Sequence, residues 1–307
     1  MSFKASSIAA VSAAILLLSA CSTNSSTTSS PSASATSTAV AVSADPALVK
    51  LLPAAYKTKG LTAGSEIPYA PMEFYDSNNK PVGFEIDLLN AVATKLGTTV
   101  TFQKQAFDTL IPSLQAGNHD LAVSSMSDTV ERQKALDFVD YFQGGASLIV
   151  LKGNPAKVTG LAGLCGKTVT TESASWEVDV LKAASKVCTI SRKPAINTLA
   201  LPSDVEAQNA VRAQNAVAYL SDSQAAAYTA KVAGNGNYFE LIVDPTAPNG
   251  YESGLIGVGI LKKNADLTKA IQAAVASLIK DGTYAQLLKN WNLSSFAVNS
   301  ATINGTK

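Results

Sequence analysis

The chain has 307 residues, at the upper limit of what one hydrophobic core holds, so its length favours two lobes over one. It is 47% hydrophobic and 15% charged with a formal net charge of +1, which excludes a charge-rich disordered chain and gives no basic footprint for nucleic acid. One His and three Cys leave almost no room for a multi-ligand zinc site. A Ser-His-Asp hydrolase would rest on His119 alone, in a Gly117-Asn118-His119-Asp120 turn that reads as surface. Nothing in the composition calls for a cofactor.

Lys4 is the only charge before residue 45, and Ile8 to Ala20 is apolar or small. That run is shorter than the roughly 20 residues of a membrane-spanning helix. A positive start, a short apolar run and small residues read as a secretory signal over 1–20. Leu18-Ser19-Ala20-Cys21 resembles the bacterial lipobox, which makes Cys21 the expected lipidation site; the alternative is an ordinary signal with an incidental Cys. Removing Lys4 with the signal leaves bases and acids equal in number. Residues 21–44 are mostly Ser, Thr, Ala and Val, which cannot bury enough surface to offset ordering entropy. They read as a flexible tether holding a body on the outer face of a membrane.

From Asp45 onward, short apolar runs alternate with amphipathic segments. Leu88, Val92 and Leu96 recur at helical spacing behind Asp87 and stop at Gly97. Leu110 to Ala116 is a second helix, and Leu121-Ala122-Val123 a buried strand. Asp128-x-x-Glu131 reads as a capping box opening a third helix, with Arg132 at its start. Ala146 to Leu151 is a strand broken at Lys152–Pro155. Thr168 to Thr171 is a strand and Trp176 to Ser185 a helix. Ser203-x-x-Glu206 caps another helix, to Gln214. Val217 to Leu220 is a strand ending at Ser221-Asp222, and Ser223 opens an Ala-rich helix. Phe239 to Val243 and Leu255 to Ile260 are strands. Asn264 opens a helix with Leu267, Ile271, Val275 and Leu278 on one stripe, and residues 294–307 read as a frayed polar tail. The alternation predicts an α/β fold with mainly parallel sheets.

Cys165 and Cys188 remain after Cys21, and an even pair in an oxidising compartment reads as a disulfide around one strand–helix unit. Such a loop would contribute roughly 3.5 kcal/mol in the chain-entropy model. Two free buried thiols are the alternative.

Three ordered segments carry a resemblance: GSEIPYAPMEF, PVGFEIDLLNAVATKLG and FDTLIPSLQAGNHDLAVSSMSDTVERQKALDFVDYF, followed by LCGKTVTTESASWE, AYLSDSQAAAY and IKDGTYAQLLKNW. Their order and spacing resemble family 3 solute-binding proteins, the polar amino-acid receptors of bacterial ABC importers. The resemblance runs from about Leu61 to Trp291. It implies a two-lobed type II periplasmic-binding-protein fold with a ligand cleft between lobes joined by two crossing segments, expected at Lys152–Pro155 and Asp244–Pro248. Lobe 1 would then be 45–151 and 248–293, and lobe 2 152–247. It further implies a small-molecule ligand, an ABC permease as partner, an extracytoplasmic monomer and no catalysis.

The same resemblance implies the pocket. Arg132 and Ser127 match the positions that hold the α-carboxylate, Ser125 one that helps with the α-amino group, and Asp222 the acid that takes it. Tyr69 and Phe107 match two aromatic walls, and Glu66 an acid that reaches the ligand's side chain. Three residues depart from the pattern. Met72 stands where Phe is usual, and Ala174-Ser175-Trp176 replaces a Gly-Thr-Thr-like run, leaving Ser175 to supply a hydroxyl and Trp176 to shrink or cap the pocket. Two other roles stay open: a cleft enzyme of the cyclohexadienyl-dehydratase type, recruiting Glu172 or Glu177, and a sensory receptor without transport.

Overall fold

The computed structural model describes residues 40–248 and 250–307. The expected signal, Cys21 and the tether as far as residue 39 lie outside the described residues.

The elements follow in chain order: α1 (Pro46–Leu51), α2 (Ala54–Lys59), β1 (Leu61–Ser65), β2 (Phe74–Tyr75), β3 (Pro81–Val82), α3 (Phe84–Lys95), β4 (Val100–Lys104), α4 (Leu110–Gln115), β5 (Leu121–Ala122) and β6 (Leu136–Leu151). After them come β7 (Thr168–Glu172), α5 (Glu177–Ile190), β8 (Asn197–Leu201), α6 (Asp204–Arg212), β9 (Ala218–Asp222), α7 (Ser223–Val232), β10 (Phe239–Leu241), β11 (Tyr251–Leu261), α8 (Ala265–Lys280) and α9 (Thr283–Asn290). The acidic start of α3 is Glu85 and Asp87, and Ser203 caps α6 by accepting from the Glu206 amide.

Among the described residues nine strands form one sheet in the order β4-β1-β5-β11-β6-β9-β7-β8, with β10 on β6 and a separate β2–β3 hairpin. The outer strands of each half are parallel: β1 with β4 and β5, β7 with β8 and β9. The central β6 and β11 are antiparallel to each other. Each half has apolar packing on both faces. In the first, α3, α8 and α9 cover one face with Phe84, Leu88, Ile271 and Leu287, and Leu110, Leu114 and Phe138 pack on the other. In the second, β6 alternates, sending Leu148 and Val150 to the Val169–Leu181 core and Ile149 to the Val211–Phe239 core.

Several expectations are corrected. β6 begins ten residues earlier than the apolar run Ala146–Leu151, because the aromatic segment before it continues the strand. The passage between halves lies inside β6: it pairs with β11 from Leu136 to Ala146, with a register shift just before Ala146, and with β9 from Ala146 to Val150. Lys152–Pro155 is therefore a turn within the second half, held by Lys152 N–H to Tyr238 and Gly153 N–H to Glu240. No α-helix opens at Asp128. A single 3₁₀ turn, Arg132–Lys134, fits before β6, and Asp128 accepts from Gln133 and the Thr306 amide instead. That accepting role also corrects the frayed tail. Thr302 and Gly305 donate to Asp140, Asn304 to Asp137, and Ile303 bridges to Val139. Asp140 and Asp128 are buried, so the tail supplies donors to Asp140 and adds one to Asp128 beside that of Gln133. His119 is buried, its Nδ1 3.1 Å from Gln103 Oε1, under a β1 position where only glycine fits: a Cβ on Gly64 would lie 2.6 Å from the imidazole.

Cys165 and Cys188 are disulfide-bonded, Cα atoms 5.6 Å apart, and close the β7–α5 unit as expected.

Candidate functional site

Open α/β sheets gather ligands at the carboxyl ends of their parallel strands. Here the ends of β1, β7 and β9 converge on a cavity between the halves, and the turn after β5 completes it. β1 delivers Glu66 and, a loop later, Tyr69; β5 leads to Ser124 and Ser125; β7 ends at Thr171 and Glu172; β9 ends at Ser221 and Asp222. Phe107, Ser175, Trp176, Glu177 and Tyr219 complete its wall. The cavity measures about 20 Å³, room for about one water, so anything larger enters only when the walls part.

The halves are bonded to each other across this cleft. Tyr69 Oη donates to Asp222 Oδ2 at 2.8 Å, and Gln224 Nε2 donates to Ser125 Oγ at 3.2 Å. Arg132 spans the mouth: Nη1 donates to the Ser127 carbonyl at 2.9 Å and Nη2 to the Ala174 carbonyl at 3.0 Å. Its Cζ lies 5.4 Å from the centre of the Phe107 ring, a cation–π distance.

Seven expected ligand residues, Glu66, Tyr69, Phe107, Ser125, Ser175, Trp176 and Asp222, line the cavity. Ser127 and Arg132 stand at its edge, outside the lining. Met72 is buried in the first core and does not reach it. Trp176 Nε1 donates to Asp222 Oδ1 at 3.2 Å, and Ser175 Oγ is turned to the Glu172 carbonyl at 2.8 Å. Ser125 has φ +41°, an uncommon setting for a non-glycine residue, and its amide donates to Glu85 Oε1 at 2.8 Å. The sequence reading assigned no ligand-binding role to Ser124, Thr171, Tyr219 and Ser221. Their signal was position alone, at or near the end of a buried strand.

The wall is acidic. Burial pushes Glu66 up to about 7 and Glu172 far above the carboxylate range, with the Glu66 charge adding to Glu172. Burial also raises Asp222, against hydrogen bonds from Tyr69 and Trp176 that lower it, and raises Glu177 beside it. Burial lowers Arg132, opposed by the charges of Glu177, Asp222 and Asp179, and a guanidinium so placed stays protonated. The arrangement sets one guanidinium beside a wall of several buried carboxyls. Among the described residues no cluster of three metal-ligating side chains occurs, and no helix is long and apolar enough to cross a membrane.

A sheet of two halves with a cleft at the strand ends, crossed by two central strands, defines a two-lobed binding-protein fold. The model of the bacterial extracellular solute-binding proteins, family 3, matches residues 61–294, and the chain belongs to that family. It is 29% identical over 263 residues to the "Arginine-binding protein ArgT" of Corynebacterium glutamicum, covering 84% of this chain and 83% of that one. Among solved structures it is similar to an ancestral arginine-binding protein bound to arginine, with TM-score 0.66, 30% identity, 75% of this chain and 97% of that chain covered. It is also similar to an ancestral amino acid-binding protein described as a precursor of cyclohexadienyl dehydratase, with TM-score 0.63, 29% identity, 75% and 94% covered. The chain is thus a solute-binding protein.

Proposed function

We propose that this protein captures a basic amino acid, arginine foremost, and delivers it to an ABC permease. On this reading it is an extracytoplasmic, monomeric receptor held on the membrane by lipidated Cys21. The observation that carries the ligand choice is the acidic cleft wall: Glu66 and Glu172 both line it, and each keeps a buried oxygen without a partner. Relatives bearing arginine in their names support the same choice.

The mechanism is hinge closure of a lobe made of roughly 45–144 and 255–307 on one made of 146–250. Arg132 takes the ligand's α-carboxylate as a fork, exchanging the Ser127 and Ala174 carbonyls for it, with charge-assisted bonds of about 1.5–3 kcal/mol each. The Ser127 hydroxyl assists. Asp222 takes the α-ammonium in place of the Tyr69 and Trp176 donors, with Ser125 beside it. Tyr69 and Phe107 sandwich the aliphatic stem, Trp176 caps it, and Ser175 turns its hydroxyl toward the carboxylate. A ligand bonded to both lobes binds the closed form better and shifts the population toward it.

Titration calorimetry of the purified protein tests the ligand. Arginine, lysine or ornithine should bind, and neutral amino acids more weakly. No heat with any basic amino acid would reject the reading. The dehydratase alternative rests on the similarity to a precursor of such an enzyme, itself an amino-acid-binding protein. Turnover of a cyclohexadienyl acid by the purified protein would restore it.

A further inference from the structure

Glu66 and Glu172 come from opposite halves of the sheet, one after β1 and one at the end of β7, and meet in the cavity wall. They are 6% and 5% exposed. Glu66 Oε2 and Glu172 Oε1 have no hydrogen-bond partner, and the Glu66 charge acts on Glu172. The charged and titratable groups acting on them include one cation. Asp204 acts on both; Lys104 and Glu73 interact with Glu66, and Glu177 and Tyr219 with Glu172. Two buried carboxyls lining one small cavity cannot both ionise without a cation between them, so the pair keeps a proton when none is present.

We propose that Glu172 is a second specificity residue, which closes on Glu66 across the cleft so that the pair exchanges its proton for the cationic head of the ligand's side chain. This rests on the basic-amino-acid reading above and adds a mechanism to it. Closing the cleft without a cation brings two acids together and requires a bound proton. Closing it on a guanidinium places a delocalised charge with several donors between two acceptors from opposite walls, and the proton leaves to solvent. A neutral side chain of similar length gains nothing from the exchange. The pair therefore makes closure itself sensitive to ligand charge, a task Glu66 could not perform from one wall. Burial supports the exchange, since it pushes Glu66 up to about 7, where neutral solution supplies and accepts the proton.

The test is titration calorimetry with arginine near pH 6 in buffers of different ionisation enthalpy, repeated toward pH 8, on wild type, Glu172→Gln and Glu172→Leu. Wild type should release about one proton per arginine near pH 6, with affinity tightening up to roughly tenfold per pH unit. Both variants should melt at or above the wild-type temperature, because a desolvated acid has been removed. Both should lose the proton release and bind arginine at least about tenfold more weakly, one strong polar contact being gone. Arginine binding without proton release, or with release unchanged in the variants, would overturn the inference and leave the ligand reading standing. Variants that do not fold would make Glu172 a structural acid and overturn it equally. Absence of binding by arginine, lysine and ornithine would reject both.

Discussion

Two buried glutamate pairs lie near one another and are built to opposite ends. Glu73 and Glu85 belong to one half of the molecule and are fully buried. Ser124 Oγ donates to Glu73, and Tyr141 Oη and the Ser125 amide donate to Glu85. Burial and the Glu85 charge hold Glu73 well above its ordinary range, so this pair too keeps a proton. Its donors are permanent, and they fix the strained Ser125 turn at the cleft. Glu66 and Glu172 come from different halves and lack such hydroxyl donors. All four acids keep one buried oxygen without a partner, so the pairs differ in the hydroxyl and amide donors that hold Glu73 and Glu85 and in whether the two acids come from one half or from both.

The largest effect expected is on the brace. Glu85→Ala strands the Tyr141 hydroxyl and the Ser125 amide and should cost about 2–5 kcal/mol in urea unfolding, since each buried unsatisfied group costs about 1–3 kcal/mol. A loss below about 1 kcal/mol would erase the distinction between the pairs.

Opening the disulfide should cost roughly 3.5 kcal/mol by the loop model, with arginine affinity unchanged, because Cys165 and Cys188 lie outside the cavity wall. Urea unfolding and calorimetry on the reduced protein check both halves of that statement.

Arg132→Ala should weaken arginine about a hundredfold while the melting temperature holds, because its two bonds go to carbonyls at the cleft mouth and not into a core. Unchanged affinity would remove Arg132 from the site.

The pH dependence of stability separates the acids as a set. Glu66 is raised to about 7, and Asp140 and Asp204 to about 6, each by burial first. A raised carboxyl holds its proton in the folded protein after the unfolded chain has released it. This stabilisation is complete below about pH 4 and is lost as pH rises to about 7, so the melting temperature without ligand should fall across that window. Arginine at saturating concentration should flatten the fall. A melting temperature rising through the window would contradict the assignments.

The smallest effect is at the rim. Trp176→Phe removes one donor to Asp222, frees that acid for an ammonium, and should change affinity by no more than about tenfold. Calorimetry that finds binding abolished would make the indole itself part of the recognition.

Much of this was legible in the chain. The stripe Leu267, Ile271, Val275 and Leu278 gave α8, the Ser203 box gave α6, and the alternation of short apolar runs gave the parallel outer strands, because period and capping are local properties. Tyr69, Phe107, Ser125 and Asp222 were found through ordered motifs, and the structure brings them into one wall. Met72 was singled out and lies in the core. The helix expected at Asp128 failed because its acid is claimed by the tail, more than a hundred and seventy residues away in sequence. The tail was misjudged for the same reason: polar residues look frayed until the buried Asp140 they serve is known.

By itself, then, the sequence determined the family, the alternation of elements and the residue types of the pocket, since these follow from order, spacing and side-chain chemistry. Only the tertiary structure decided where the chain crosses between halves, inside β6 and not at a proline break, because strand partners are non-local. It alone brought Glu172 against Glu66. Those residues are 106 positions apart in the numbering, and whether two acids are separate surface charges or one proton-sharing pair depends on the burial and distance that folding creates.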